Sequence, residues 1–223
     1  MKRIAVLCWV GILSFSYLGA QSRKAWGGVG WFSGGYTILT GHEALREAVQ
    51  AKGLSISSSL PGFLIGGGGG AYLGRLFIGG HGEAIVGGEV SGGYGFFRMG
   101  YFWRLGSRFI VLPTLGIGGG GYTFVLSNRP DRIGFSQAIE PSGGVPPRSL
   151  STGGAKGNLN IALQYINKGF MAGLEVGYGQ SLGAFQEWET AGISLQNGPK
   201  INPQQLYIRL LVGGGGLVSE GEK

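Results

Sequence analysis

Apolar and polar residues alternate at period two along most of this chain. Asn158-Leu159-Asn160-Ile161-Ala162-Leu163-Gln164-Tyr165 sets Leu159, Ile161, Leu163 and Tyr165 on one face and mostly polar side chains on the other. Phe170–Tyr178 repeats the pattern, with Glu175 on the polar side, and Asn167-Lys168-Gly169 between the two has the composition of a hairpin turn. A second hairpin joins 63–73 to 76–86 through Gly74-Arg75. There Leu76, Ile78, Ala84 and Val86 share one face, and Phe77, His81 and Glu83 the other. A third joins 90–104 to 109–126 through Leu105-Gly106-Ser107-Arg108. In its first strand Phe97, Met99, Tyr101 and Trp103 oppose Tyr94, Phe96, Arg98 and Arg104. Segments 25–36 and 206–218 complete a set of about eight strands, the last with Leu206, Ile208, Leu210 and Val212 on one side and Tyr207 and Arg209 on the other. Alternation is weak after Phe109, and Pro113 leaves the register there open.

The connections sort by parity. Gly74-Arg75, 105–108 and 167–169 are very short, whereas the intervening segments 40–62, 127–157 and 182–205 are long, and 87–89 is the one brief member of that series. Short turns at one end and long loops at the other belong to an up-and-down membrane barrel, with short turns and both termini on the periplasmic side. A soluble sandwich has no reason to segregate loops in this way. In the first long loop, residues 41–53 read as a short amphipathic helix, with Leu45 and Val49 four apart on one side.

Composition supports strands over helices. Glycine makes up 49 of 223 residues, with runs at 66–70, 118–121 and 213–216. Each interior glycine costs a helix ~1 kcal/mol relative to alanine, whereas in a sheet glycine permits bending and close backbone approach. Aromatic residues at 12% argue against disorder, and eight prolines without a three-residue period exclude collagen. The match to G-x-G-x-x-G at 116–121 precedes a β-like segment rather than a helix and is rejected. Residues 109–126 carry no charge, but five glycines and Pro113 argue against a membrane helix.

Lys2 and Arg3, the apolar stretch 4–18 and the small residues Gly19-Ala20 have the layout of a secretory signal peptide. Residues 1–20 are therefore expected to be removed, taking Cys8 with them and lowering the net charge from +7 to +5. Residues 21–223 then form one exported domain without disulfides. Export and the lack of a Lys/Arg-rich run exclude nucleic acid as a partner.

Signal peptide, alternation and loop parity together resemble the small outer-membrane β-barrel proteins of Gram-negative-type bacteria. The resemblance is architectural and spans nearly the whole chain. It implies an all-β, up-and-down antiparallel transmembrane barrel, outer-membrane lipid around it, and the outer-membrane assembly machinery as a partner. The sequence departs from such chains at its end, where Gly213–Gly216, Leu217 and Val218 run into Ser-Glu-Gly-Glu-Lys in place of a terminal aromatic residue.

A narrow barrel fills its lumen with side chains, and charges there need partners. Glu83, Arg98, Glu175 and Arg209, with His81 and Arg104 nearby by parity, are the candidates for a lumen network. Trp26, Trp31, Tyr36, Tyr72, Tyr101, Trp103, Tyr122, Tyr165, Phe170, Tyr178 and Tyr207 cluster towards strand ends, as interfacial girdles do. Arg23, Lys24, Arg75, Arg104, Arg108 and Lys168 gather at the short-turn end, within reach of anionic lipid heads.

Two histidines, no cysteine in the mature chain and a single aspartate, Asp131, leave no metal or cofactor site and no catalytic triad to expect. Glu187 and Glu189 read as solvated loop residues. The expectation is a non-enzymatic barrel with a structural or surface-interaction role, meeting an extracellular partner through loops 40–62, 127–157 and 182–205. A narrow, porin-like passive channel and a soluble periplasmic β-sandwich or lipid-binding protein are the alternatives.

Overall fold

The computed structural model describes residues 25–126 and 148–219. The signal-peptide segment 1–20, Arg23, Lys24 and Asp131 lie outside them. The strands are β1 (Ala25–Thr40), β2 (Leu60–Gly74), β3 (Leu76–Val86), β4 (Val90–Tyr101), β5 (Trp103–Leu105), β6 (Phe109–Leu126), β7 (Arg148–Asn167), β8 (Phe170–Ser181), β9 (Trp188–Thr190), β10 (Ile193–Leu195) and β11 (Gln204–Ser219). One helix, α1 (Glu43–Gln50), lies between β1 and β2.

Each strand is antiparallel to its neighbours. β2, β3, β4, β6, β7, β8 and β11 follow β1 in order, and β11 pairs back onto β1 from Ala25↔Ser219 to Thr40↔Gln204. The sheet is thus closed. β5 continues β4 in the same register, Gly100↔Thr114 leading to Trp103↔Val111, so the barrel has eight strand positions. Closure satisfies the backbone donors and acceptors and leaves the barrel without an edge.

Gly74 at φ 70° turns β2 into β3, and Lys168-Gly169, both at positive φ, join β7 to β8. Two successive positive φ values suit the twist of a tight hairpin. β6 runs through Pro113 without a slip, pairing with β7 from Phe109↔Tyr165 to Leu126↔Arg148. Residues 109–126 are therefore a strand, and among the described residues no helix is long and apolar enough to cross a membrane.

One expectation needs correction. The second long loop is expected at 127–157, but Arg148–Gly157 belongs to β7. Its glycine-rich stretch 153–157 has little strand propensity of its own. It is held because Gly118–Gly121 of β6 lie alongside it, because β8 pairs onto its other edge at Lys156↔Ser181 and Gly157↔Gln180, and because β9 pairs just before it at Ser151↔Glu189 and Thr152↔Trp188. Tertiary pairing overrides local propensity here. The other long loops are also shorter than expected: β1 extends to Thr40, β2 begins at Leu60, and the last loop folds in part into the β9–β10 hairpin.

The two faces of the wall differ sharply. No outward position of the eight barrel strands in the described residues is charged. Phe32, Phe63, Ile65, Leu115, Leu206 and Leu210 are each more than 60% exposed. On β11 the uncharged outward positions run from Leu206 to Val218, ~40 Å along a strand and ~30 Å in height at a tilt of roughly 40°.

The lumen is filled in layers. At the long-loop end Leu45 and Val49 of α1, with Ile56, pack against Leu39, Leu60, Phe124, Leu126, Phe185, Trp188 and Ile201. At the short-turn end Val29, Trp31, Tyr72, Phe77, Phe102, Ile110, Met171 and Leu211 form a second apolar plug. Glycine makes room for both. A Cβ on Gly70 would lie 2.5 Å from the Phe77 ring, and one on Gly154 would lie 2.6 Å from the Phe185 ring. The girdle expectation therefore holds for only part of its list: Trp31, Tyr72, Tyr122 and Tyr207 are buried in the lumen, whereas Trp26, Tyr36, Phe170 and Tyr178 face outward.

Candidate functional site

Between the two plugs lies a polar layer. Inward positions of β3, β4, β6, β7, β8 and β11 meet there, because period-two alternation aims every second side chain at the axis. Arg209 of β11 is its centre, only 1% exposed. Its Nε donates to Glu175 Oε1 at 2.9 Å, its Nη2 to the same oxygen, and its Nη1 to Glu83 Oε2. Glu175 and Arg209 face each other across the β8–β11 ladder, which presents the carboxylate to the side of the guanidinium fork.

Arg98 of β4 completes the group. Its Nη2 donates to Glu175 Oε2 at 2.8 Å and to Thr114 Oγ1 at 2.9 Å. Asn160 Nδ2 also donates to Thr114 Oγ1, at 3.2 Å, and Asn160 Oδ1 accepts from the Tyr207 hydroxyl. His81 Nε2 lies 2.6 Å from Arg209 Nη1 and 3.4 Å from Glu83 Oε2, and its ring stacks on Trp31. Two carboxylates and two guanidiniums balance in formal charge. That balance and the shared hydrogen bonds are what a buried ionic cluster needs to offset desolvation.

Of the residues named from the sequence, the structure brings His81, Glu83, Arg98, Glu175 and Arg209 together. Arg104 does not join them. It lies at the short-turn end, where its Nη2 donates to the Ser107 carbonyl at 3.0 Å. Parity alone could not separate these cases, since it reports a face and not a height along the axis.

Sequence reasoning missed Lys156, assigned to a loop. It is fully buried in β7, its ammonium donating to the Tyr122 hydroxyl at 2.6 Å and to Gln205 Oε1 at 2.8 Å. The same nitrogen sits 3.8 Å from the Tyr94 ring centroid and 4.9 Å from that of Tyr122, a cation–π arrangement. No carboxylate lies within salt-bridge distance of it among the described residues. The signal was available: Lys156 continues the inward series Asn160, Asn158 backwards by two.

The polar layer holds Arg209 and Lys156 differently, one by carboxylates and one by neutral oxygens and ring faces. Both lie under apolar plugs. Tyr72 seals the lower side, packing 5.0 Å from Phe102 between ring centroids and donating to Gln164 Oε1 at 2.6 Å. Tyr94, Tyr122, Phe124 and Trp188 form a chain of ring contacts on the upper side. Among the described residues no group of three or more His, Cys, Asp or Glu side chains is placed to hold a metal.

No protein-family model matches the chain, and no curated protein does. Among solved structures it is similar to Neisserial surface protein A, at 8% identity over 84% of this chain and 96% of that one, with a TM-score of 0.47. Ail, the attachment invasion locus protein of Yersinia pestis, aligns at 11% identity over 87% and 99%, with a TM-score of 0.42. The outer membrane protease OmpT from Escherichia coli aligns at 10% identity over 91% and 98%, with a TM-score of 0.35. At these values no residue role passes from one chain to another, and the closed eight-stranded barrel stands on its own strand pairing.

Proposed function

We propose that this chain is an outer-membrane β-barrel with a structural or surface-interaction role, its lumen closed by the Glu83–Arg209–Glu175–Arg98 network between two apolar plugs. The observation that carries this reading is the inversion of polarity: charges inside, none on the outward face of the barrel strands. A water-soluble barrel has the opposite arrangement. An uncharged wall ~30 Å high matches the hydrocarbon core of a bilayer. Export through a signal peptide at 1–20 belongs to the same reading.

The loop end is the part we assign to contacts outside the cell. There α1 and β9 set Leu45, Val49 and Trp188 into the apolar plug, and Ile193 of β10 is 65% exposed on a strand paired on one side only. The alternative of a passive channel is disfavoured by the filled lumen, in which Arg98, Glu175, Lys156 and Arg209 are each at most 2% exposed. The soluble β-sandwich reading has no support in a sheet that closes on itself.

Gel mobility in detergent with and without boiling, followed by reconstitution in a planar bilayer, tests the proposal. The expected result is a heat-dependent shift in mobility and no steady single-channel conductance. A single heat-independent band, or extraction of the chain without detergent, overturns the membrane reading. A steady conductance overturns the closed lumen.

A further inference from the structure

The outward residues of β7 change in kind along the strand. From the loop end they read Ser151, Gly153, Ala155, Gly157, Leu159 and Ile161: a hydroxyl, a stretch almost without side chains, then large apolar groups. β6 alongside runs in the same order, with Thr123 opposite Ser151, Gly121 opposite Gly153, Gly119 opposite Ala155 and Leu115 opposite Leu159. Two pockets lie on this column. The lower, of about 420 Å³, has Leu115, Leu159, Tyr178 and Leu182 around Gly157. The upper, of about 410 Å³, has Glu187 and Glu189 beside Thr123 and Ser151, over Gly121 and Gly153. Ala155 is the one outward β7 residue between Gly153 and Gly157, so only a methyl group stands between the two pockets. The column from Ser151 to Leu159 spans ~26 Å of strand. Its upper part is rich in acceptors. Trp188 points inward and is 2% exposed, so Glu187 and Glu189 on either side of it project outward. Glu189 faces Ser151 across the β7–β9 ladder, and Thr123 Oγ1 lies 2.9 Å from Ser151 Oγ. Neither carboxylate has an ion-pair partner among the described residues. Lower down, Gln180 lies opposite Gly157, and its Oε1 accepts from the Tyr178 hydroxyl at 3.3 Å.

Resting on the membrane reading above, we propose that this groove seats one glycolipid of the surrounding bilayer. Its acyl chain lies against Leu115, Leu159 and Leu182, and its uncharged sugar head sits between Glu187, Glu189 and the Thr123–Ser151 pair. The lower pocket opens on the lipid-facing wall, so hydrocarbon fills it. The upper pocket selects the head. An ionised carboxylate only accepts hydrogen bonds, and sugar hydroxyls donate them to it in charge-assisted bonds. Two carboxylates without cations beside them repel a phosphate head. Gly121 and Gly153 put no side chain between a sugar ring and the strand backbone.

Native mass spectrometry of the full chain in zwitterionic detergent tests this with three lipids of matched acyl chains: a galactosyl diacylglycerol, diacylglycerol itself and phosphatidylglycerol. The expected result is saturable binding of one galactolipid per chain, with the other two lipids weaker by roughly tenfold or more. E187A/E189A, at two exposed positions, should bring the galactolipid down to the level of diacylglycerol and leave diacylglycerol binding unchanged. A155W sets a large side chain in the middle of the groove and should abolish galactolipid binding. A84W, an exposed outward substitution on β3, should leave it unchanged. Equal binding of the three lipids, or a preference for phosphatidylglycerol, with mobility still heat-dependent, overturns this inference and leaves the membrane reading intact. Galactolipid binding that survives A155W, or is lost equally in A155W and A84W, overturns it too. Absence of heat-dependent mobility in the full chain overturns the membrane reading first. Should A155W fail to fold, E187A/E189A alone decides, and an unchanged preference for galactolipid over diacylglycerol overturns the site.

Discussion

Arg209 and Lys156 are both cations inside the lumen, each at most 1% exposed, yet the barrel treats them differently. Arg209 is clamped by Glu83 and Glu175 from two strands and borders Tyr207, 4.9 Å from its ring centroid. Lys156 rests on a phenol, an amide and two ring faces. In the first site charge is compensated by charge, so no single member can leave without stranding another. In the second the compensation is dipolar, and its removal strands nothing ionic. The difference teaches that burial alone does not rank these residues by importance; the identity of the partner does.

The largest expected effect follows from removing the shared cation. R209M leaves Glu83 with only His81 beside it and Glu175 with only Arg98, and is expected to destabilise the barrel by about 3–5 kcal/mol. Urea unfolding in lipid vesicles, followed by gel mobility, measures it. A loss under about 1 kcal/mol would mean that the cluster is solvated in the folded protein.

The plug below the network comes next. F102A opens a cavity beside Tyr72 and should cost about 3 kcal/mol in the same assay, since Phe102 is fully buried there. Lys156 sharpens the contrast with Arg209. K156M keeps most of the volume and removes a charge without a carboxylate partner, so its cost should stay below about 1.5 kcal/mol, or its sign should reverse. Finding R209M and K156M equally damaging would erase the distinction between the two sites. Salt is expected to matter least. The network is shielded from ions, and raising NaCl from low to near-molar concentration should leave the R209M-to-wild-type difference unchanged within error. A difference that shrinks with salt would place the arginine in water.

Much of the wall was legible in the chain itself. In β3, β8 and β11 the alternation marks each inward residue, so Glu83, Glu175 and Arg209 could be placed on one face without coordinates. Parity of connection lengths separated the short-turn end of the barrel from the long-loop end. β7 was legible only in its second half, because Gly153-Gly154-Ala155-Lys156-Gly157 contains too few large side chains to show a face. Lys156 was lost with it. The girdle list failed in part for a related reason: Tyr72 and Tyr122 are aromatic residues near strand ends, as a girdle residue is, but their parity points inward.

What the sequence by itself determined is which side of the wall each residue takes, since a strand's geometry makes that a matter of counting by twos. Only the closed tertiary structure decided which inward residues share a level. That depends on the stagger between neighbouring strands, which brings Glu83 of β3 and Glu175 of β8 onto the same guanidinium while leaving Arg104 at the mouth. Register is a property of strand pairs and not of any one segment, and so the salt-bridge network exists only once the ring of strands is complete.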